Sequence, residues 1–316
     1  MLRGRFVVPA EAAGTRLDLV LADMFPQFSR SRLQAWLREG SILLDGATVK
    51  PRRRVLGGET VVVDVALPDV MTDVAEALAL DVVFEDPDLL VINKPAGLVV
   101  HPAAGNRSGT LLNGLLYHAP DLAALPRAGI VHRLDKDTTG LLVVARTLEA
   151  HKSLVEQLQA RSVRREYDAI VQGCPVAGGT VDEPIGRHPK ERKRMAVVAA
   201  GKPAVTRYRI RARFRSQSHL RVRLETGRTH QIRVHMAHIG HPLVGDRTYG
   251  GRPRVPAGAD AELLKALQGF PRQALHAGAL ELEHPRSGER VSWTAPLPDD
   301  MRRLIELLKK DLESHG

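Results

Sequence analysis

Midway along the chain, the block Val131-His132-Arg133-Leu134-Asp135-Lys136-Asp137-Thr138-Thr139-Gly140 separates two apolar runs, Gly129-Ile130-Val131 and Leu141-Leu142-Val143-Val144-Ala145. Short aliphatic runs interrupted by a polar turn read as strand, turn, strand. Extended alternation puts Ile130, His132 and Leu134 on one face and Val131, Arg133 and Asp135 on the other. Arg133 and Asp135 then project together at the mouth of the turn. A sheet that buries the flanking runs has to carry charged chemistry at its edge.

With 316 residues the chain can hold a large domain and a small accessory one. Hydrophobic content of 43% supports a real core, but aromatics are only 4%, so the core must rest on Leu, Val, Ile and Ala. A formal net charge of +10 favours a polyanionic partner, because Lys and Arg release counterions from phosphates. A merely basic soluble protein would carry the same excess. A single cysteine, Cys174, excludes an intramolecular disulfide and a Cys-based zinc site, and is expected as a small buried or half-buried filler. Met1-Leu2-Arg3-Gly4-Arg5 is not followed by the apolar segment of a signal peptide. No run approaches the ~18 apolar residues of a membrane span. The expectation is a cytoplasmic protein that does not engage a membrane.

Residues 1–13 read as a loose arm. Leu17, Val20, Leu21 and Met24 then recur at helical spacing, and Pro26 ends that run. Ser29 is placed to cap a second helix carrying Leu33, Trp36 and Leu37, with Gly40 as its C′ residue. Ile42-Leu43-Leu44, the Asp45-Gly46 turn and Thr48-Val49 suggest a hairpin, and Thr60-Val61-Val62-Val63 a further strand. With Arg30, Arg32 and Arg38 on the second helix, this basic module of residues 14–67 resembles the S4 RNA-binding domain, Ser29-Arg30-Ser31-Arg32-Leu33 above all. A solvated charged face on a small α/β unit would use the same residues. Residues 68–79 read as a linker, and 80–316 as a longer β-rich domain. Its expected elements include strands at 82–84, 89–92, 164–171, 204–213 and 220–224 and helices at 111–118, 148–160 and 299–314. A basic loop spans 186–203.

Two constellations could carry chemistry. Asp135-Lys136-Asp137-Thr138-Thr139 alone matches the Asp-x-Asp-x-Thr pattern of phosphohydrolases that form an aspartyl-phosphate. That chemistry wants an apolar buried strand before the first Asp, whereas His132 and Arg133 stand here, and it wants distal acids for Mg²⁺. The second is Gly227-Arg228-Thr229-His230-Gln231-Ile232-Arg233-Val234-His235. Thr229 is placed to cap a helix running to Ile239, with Ile232, Met236 and Ile239 inward, so Arg228 and Arg233 sit at a helix N-terminus suited to an anion. His230, His235, His238 and His241 lack a compact metal-ligand spacing, so no metal is expected.

Four motifs occur in order: Asn93-Lys94-Pro95-x-Gly97 with His101-Pro102, His132-Arg133-Leu134-Asp135-x-x-Thr138-x-Gly140, Arg165-x-Tyr167, and Gly227-Arg228-Thr229-His230-Gln231-Ile232-Arg233-x-His235. Together they resemble the RluA family of RNA pseudouridine synthases over almost the whole chain. The resemblance implies an α+β fold: a mixed, mostly antiparallel sheet with flanking helices, behind the small S4-like domain. It implies an isomerase that detaches uracil from ribose, rotates it and rejoins it through carbon, with no cofactor and no metal. Asp135 would be the catalytic acid, attacking C1′ or removing a C2′ proton, and Arg233 its ion-pair partner. Tyr167 would stack on the base and assist C5 deprotonation. Arg133 would fill the space left by the flipped uridine, and Asp137 would stabilise the turn. His132, Arg228 and His230 join Arg133 as expected RNA contacts in the synthase domain, and Arg30, Arg32 and Arg38 serve in the S4-like one. The implied partner is ribosomal RNA, free or in the assembling large ribosomal subunit, at the helix 69 stem-loop, with the protein acting as a monomer. A sibling synthase for other ribosomal or transfer RNA uridines, and a binding-only assembly factor, are the alternatives.

Overall fold

The chain divides into two units, Met1–Thr72 and Asp73–Gly316, each with its own hydrophobic core. The computed structural model describes residues 2–26, 28, 30–65, 74–103, 105–192 and 194–315.

In the first unit, helices α1 (Leu17–Met24) and α2 (Arg30–Glu39) cover a three-stranded sheet of β1 (Leu2–Val7), β2 (Ile42–Leu44) and β3 (Thr60–Val65), in the order β1-β3-β2. Leu17, Leu21, Leu33 and Leu37 are buried with Ile42, Leu44, Val61 and Val63, as helical and strand periodicity predicted. Gly40 ends α2 at φ +78°, a conformation that favours glycine. Ser29 lies outside the described residues. Two expectations change. Residues 2–7 are not an arm but pair with β3 from Leu2↔Val65 to Val7↔Thr60, because an open edge of β3 offers them a ladder. The Asp45-Gly46 turn forms with both residues at positive φ, but only the Leu44↔Ala47 bridge follows it, and β2 pairs with β3 instead.

A carboxylate lies at the heart of this unit. Asp18 is fully buried and accepts from Arg16, Gln34 and both Nε and Nη2 of Arg30. Burial opposes its charge, but the hydrogen bonds from Arg30, Arg16 and Gln34 outweigh that cost and pull its pKa down to about 2. Arg30 is therefore tied into the module's interior through Asp18, while its side chain remains 42% exposed. Arg38 is exposed, with a 3.3 Å bond to Gln34, and Arg32 lies over the Trp36 ring at 5.3 Å.

In the second unit, a nine-stranded sheet runs β4-β5-β6-β13-β7-β12-β11-β8, with β14 on β13. Its strands are β4 (Val82–Glu85), β5 (Leu89–Lys94), β6 (Thr139–Ala145), β7 (Arg164–Gln172), β8 (Gly179–Asp182), β11 (Val205–Arg213), β12 (Gln217–Leu224), β13 (Leu275–Glu283) and β14 (Arg290–Thr294). The two-residue pairing of β6 with β13 is parallel, and every other pair is antiparallel. At that seam Gly140 sits at φ +111°, and a Cβ there would lie 2.3 Å from the Ala277 carbonyl oxygen. Only glycine closes the sheet beside the central block.

Helices α3 (Leu111–His118) and α5 (Gln231–His238) contribute to one apolar cluster with Tyr167, Ala169 and Val171 of β7. Helix α4 (Leu148–Gln159) packs with β5 and β6 residues of opposite parity, while α6 (Ala261–Gly269) and α7 (Asp299–His315) pack with Ile170. A ribbon of β9 (Ile185–Arg187) and β10 (Met195–Val197) stands where a loop was expected. Residues 66–73 of the expected linker region are not described, and beyond them the Val74 carbonyl and the Glu76 carboxylate already bind Asn113 and Gly109. Cys174 is exposed rather than a filler. Among the described residues no helix is long and apolar enough to cross a membrane.

Replacing Asp18 by Asn should destabilise the first unit by about 3 kcal/mol, since breaking a buried charge network leaves its partners unpaired. Because the folded pKa is depressed, the wild-type contribution is present above pH ~4 and fades as pH falls towards 2. Denaturant unfolding at pH 7 and pH 3 checks both; equal stability of variant and wild type at pH 7 would refute the network's role.

Candidate active site

The central block enters the sheet through a left-handed turn. Arg127, Ala128 and Gly129 have φ of 54°, 51° and 76°. A Cβ on Gly129 would lie 1.9 Å from the Ala145 carbonyl oxygen, so glycine is required where the turn meets β6. The expected upstream strand reduces to a single bridge, Ile130↔Val144. Beyond it a side chain takes over from backbone pairing: the Val143 N–H donates to Nε2 of His132 at 3.1 Å. Burial, with Arg165 nearby, pushes the His132 pKa down to about 3. The ring is therefore held neutral, with Nε2 committed to the Val143 N–H.

The loop that carries Asp135 is fixed through its carbonyls. Lys94 is fully buried, and its Nζ donates to the carbonyls of Pro95, Leu98 and Lys136 at 2.7, 2.9 and 2.8 Å. Burial lowers its pKa to about 8, against the pull of Asp137 and Asp135. The buried Arg272 grips Asp300 of α7 with Nε and Nη2 at 2.7 and 2.8 Å and donates from Nη1 to the Asp137 carbonyl at 3.2 Å. Thr138 N–H closes the turn on the Asp135 carbonyl at 3.0 Å, and Gln273 donates to the Thr138 hydroxyl at 3.1 Å. Among these contacts the turn uses the carbonyl of Asp137 rather than its carboxylate.

Opposite this loop, α5 delivers Arg233. Its Nε and Nη2 fork onto Asp246 at 2.7 and 2.9 Å, and its Nη1 donates to Asp135 Oδ2 at 3.1 Å. Burial works against the guanidinium charge, but Asp246 and then Asp135 more than compensate and raise its pKa above the usual value. Burial likewise opposes the Asp246 charge, and Arg233 with the N–H groups of Thr248 and Tyr249 holds the carboxyl below its usual range. The guanidinium also lies over the Tyr249 ring at 5.1 Å.

Helix α5 starts one residue later than Thr229 capping would require. His230 is the N-cap at φ 57°, and Gln231 folds back so that Oε1 accepts from Arg228 N–H and the Thr226 hydroxyl at 3.0 and 2.7 Å. His230 Nδ1 meets the Tyr249 hydroxyl at 2.9 Å, leaving Nε2 3.9 Å from Asp135 Oδ1. Burial lowers the His230 pKa, although Asp135 opposes the shift.

These groups surround a cavity of about 320 Å³. Its lining brings together Asp135, Tyr167, Arg233, His132, Arg133, Arg228 and His230, the residues expected in this unit to be catalytic or to contact RNA. Arg133 is exposed at the mouth, and Arg228 is exposed with its Nε on the Pro203 carbonyl at 3.1 Å. Tyr167 is 5% exposed in the wall, and burial raises its pKa. Asp246, Tyr249 and the carbonyl-pinning role of Lys94 escaped the sequence reading; an acid directly after the apolar Pro242-Leu243-Val244-Gly245 run was the available signal for Asp246.

With this geometry in view, the relatives are informative. A family model described as RNA pseudouridylate synthase matches residues 88–238, and the S4 domain model matches residues 15–61. The chain is 57% identical over 314 residues to ribosomal large subunit pseudouridine synthase D of Pseudomonas aeruginosa, covering 99% of this chain and 98% of that one. The protein of the same name from Xanthomonas campestris is 57% identical over 305 residues, covering 96% and 92%. Among solved structures, human RNA pseudouridylate synthase domain containing 4 superposes with a TM-score of 0.57 at 28% identity, covering 72% of this chain and 92% of that one. The chain belongs to the RNA pseudouridine synthase family and carries an S4 domain ahead of the synthase domain.

The depressed His132 pKa sets a pH signature. Between pH 6.5 and about 3 the unfolded chain binds a proton that the folded ring refuses, so stability falls as pH drops through that window, by up to about 1.4 kcal/mol per pH unit. His132→Gln keeps an acceptor for Val143 N–H but does not titrate. Its unfolding free energy between pH 6.5 and 5 should fall correspondingly less steeply; an unchanged slope would refute the assignment.

Proposed function

We propose that this enzyme converts specific uridines of large-subunit ribosomal RNA to pseudouridine, at the helix 69 stem-loop, with Asp135 as the catalytic acid. The observation that carries the reading is the ion pair of Asp135 with a buried Arg233 that is itself locked on Asp246, inside an arginine-lined cavity with Tyr167 in its wall. The arrangement keeps one carboxylate oriented in a partly dry site, as nucleophilic attack on C1′ or removal of a C2′ proton requires. Oδ2 is occupied by Arg233, so Oδ1 is the oxygen directed to the sugar.

Tyr167 offers a rigid face for the base and a hydroxyl beside it for loss of the C5 proton once the C5–C1′ bond has formed. Arg133, exposed next to Asp135, enters the gap in the RNA stack when the uridine flips into the cavity. Arg228 takes a backbone phosphate and His230 stays beside Asp135. In the S4 domain Arg32 and Arg38 contribute to RNA affinity. The near full-length identity to proteins named for the large ribosomal subunit supports ribosomal RNA as the substrate and a cytoplasmic setting.

Asp135→Asn should leave folding and RNA affinity intact while reducing pseudouridine formation by at least about 10⁴-fold, the scale on which loss of an essential catalytic group acts. Retained turnover would remove Asp135 from the mechanism. Pseudouridine mapping of ribosomal RNA from cells with and without the gene tests the substrate: disappearance of the helix 69 sites is expected. Loss confined to other ribosomal or transfer RNA uridines would replace this assignment with that of a sibling synthase.

A further inference from the structure

One charged group in the cavity wall has no side-chain partner among the described residues. Arg165 is 7% exposed, its Nε is sealed from solvent without a hydrogen bond, and among the described residues nothing forms an ion pair or hydrogen bond with its guanidinium. A buried guanidinium in that state is costly. The acids of its own strand do not relieve it. Glu166 and Asp168 alternate to the other face of β7, where Arg164, Arg221 and His219 hold them. Arg165 shares its face with Tyr167, two residues on, and both line the cavity. Its cross-strand neighbours are Leu224 and Leu280, which offer no side-chain acceptor. The loop before α5 also makes room for it: a Cβ on Gly227 would lie 3.0 Å from Arg165 Nη1.

We infer that Arg165 is a further catalytic residue, donating to a carbonyl oxygen of the flipped uracil and carrying the negative charge the base acquires as its bond to C1′ breaks. The inference rests on the proposed role of Asp135. By either route open to Asp135 the electron balance is the same. When a carboxylate oxygen bonds to C1′, or when C2′ gives up its proton and C1′=C2′ forms, the C1′–N1 pair leaves with the base. That pair is delocalised over O2 and O4 until C5 bonds to C1′, which either releases the Asp135 carboxylate from C1′ or opens C1′=C2′ as Asp135 returns its proton to C2′, after which the C5 proton is lost. A preorganised donor in a dry wall acts on such developing charge far more strongly than on the neutral ground state. A phosphate would need the guanidinium at the solvent-facing rim, where Arg133 and Arg228 stand exposed.

The test uses the full-length enzyme and an RNA stem-loop bearing uridine, 2-thiouridine or 4-thiouridine at the target position, followed by single-turnover kinetics. Arg165→Met should slow the uridine reaction about 10²–10³-fold, with RNA affinity within about threefold of wild type. Its melting temperature should equal or exceed that of wild type, because an unpaired buried charge has been removed; a purely structural arginine would lower it. Sulfur is a poorer hydrogen-bond acceptor and the thio base a better-stabilised anion, so the fold-loss should shrink about tenfold or more on the RNA whose contacted oxygen is replaced. Arg165→Lys, which keeps the charge, should recover part of the rate.

An equal fold-loss on all three RNAs, or weakened RNA binding at an unchanged rate, would overturn the inference and return Arg165 to a phosphate-binding or structural role. Asp135→Asn on the same RNA is the control. If that variant remains active, the mechanism assigned to Asp135 fails and this inference fails with it.

Discussion

Arg233 is held by two carboxylates, and the site depends on how its donors are divided between them. Nε and Nη2 form a planar fork with Asp246, a geometry that guanidinium and carboxylate share and lysine cannot copy. The fork removes rotational freedom and leaves Nη1 aimed at Asp135. Burying an ion costs several kcal/mol unless it is paired in good geometry, and Asp246, itself fully covered in its side chain, supplies that pairing. Asp135 is then free to remain partly open to the cavity. A single partner could not both anchor Arg233 in the interior and present it at the site.

The other half of the geometry lies in the backbone of the loop that carries Asp135. That loop has no ladder to hold it, since β6 begins only at Thr139. Its carbonyls are instead taken by two buried cations: Lys94 from β5 takes that of Lys136, and Arg272 takes that of Asp137. Lys94 satisfies three carbonyls with one ammonium, the full donor count of that group. Arg272 ties the same loop to the first turn of α7, where the helix N-terminus already favours the Asp300 carboxylate. The long C-terminal helix thus does more than cover the sheet. The stiffness of the site comes from charge buried under the loop, with Gly140 permitting the close approach of β13 beside it.

What could be read in the sequence follows from the range of each interaction. Local periodicity located α1, α2, α3 and α7, and in-out alternation around the central block put Ile130 and Leu134 inside and Arg133 outside although no strand forms there. Motif order brought Asp135, Tyr167, Arg228 and Arg233 into one cavity, residues that no short-range pattern connects. Other features depended on partners chosen in space. The role of His132 is set by the Val143 N–H, which lacks a strand partner on that side only because the pairing of β6 with β13 is so short. Arg30 looked like a free cation on a helix until the buried Asp18 of the preceding helix claimed it. The N-terminal strand was missed because Arg3-Gly4-Arg5 masks its alternation, and its partner β3 lies far along the chain.

The basic excess of the chain also looks different once its arginines are sorted by solvent access. Exposed ones such as Arg133 and Arg228 keep their hydration and can exchange it for phosphate, the long-range and salt-sensitive contribution that a net charge of +10 suggests. Buried ones obey a different rule, because each must meet an anion or go unsatisfied. Arg233 meets Asp246 and Asp135, and Arg272 meets Asp300. Among the described residues Arg165 has no such anion. Among the described residues Asp135 is the only carboxylate lining the cavity and already belongs to Arg233, so none of them supplies a counter-charge to the positive wall facing it. A wall of that kind suits a reaction in which negative charge moves from the carboxylate to the base, because the field that stabilises the departing base is in place before the bond breaks.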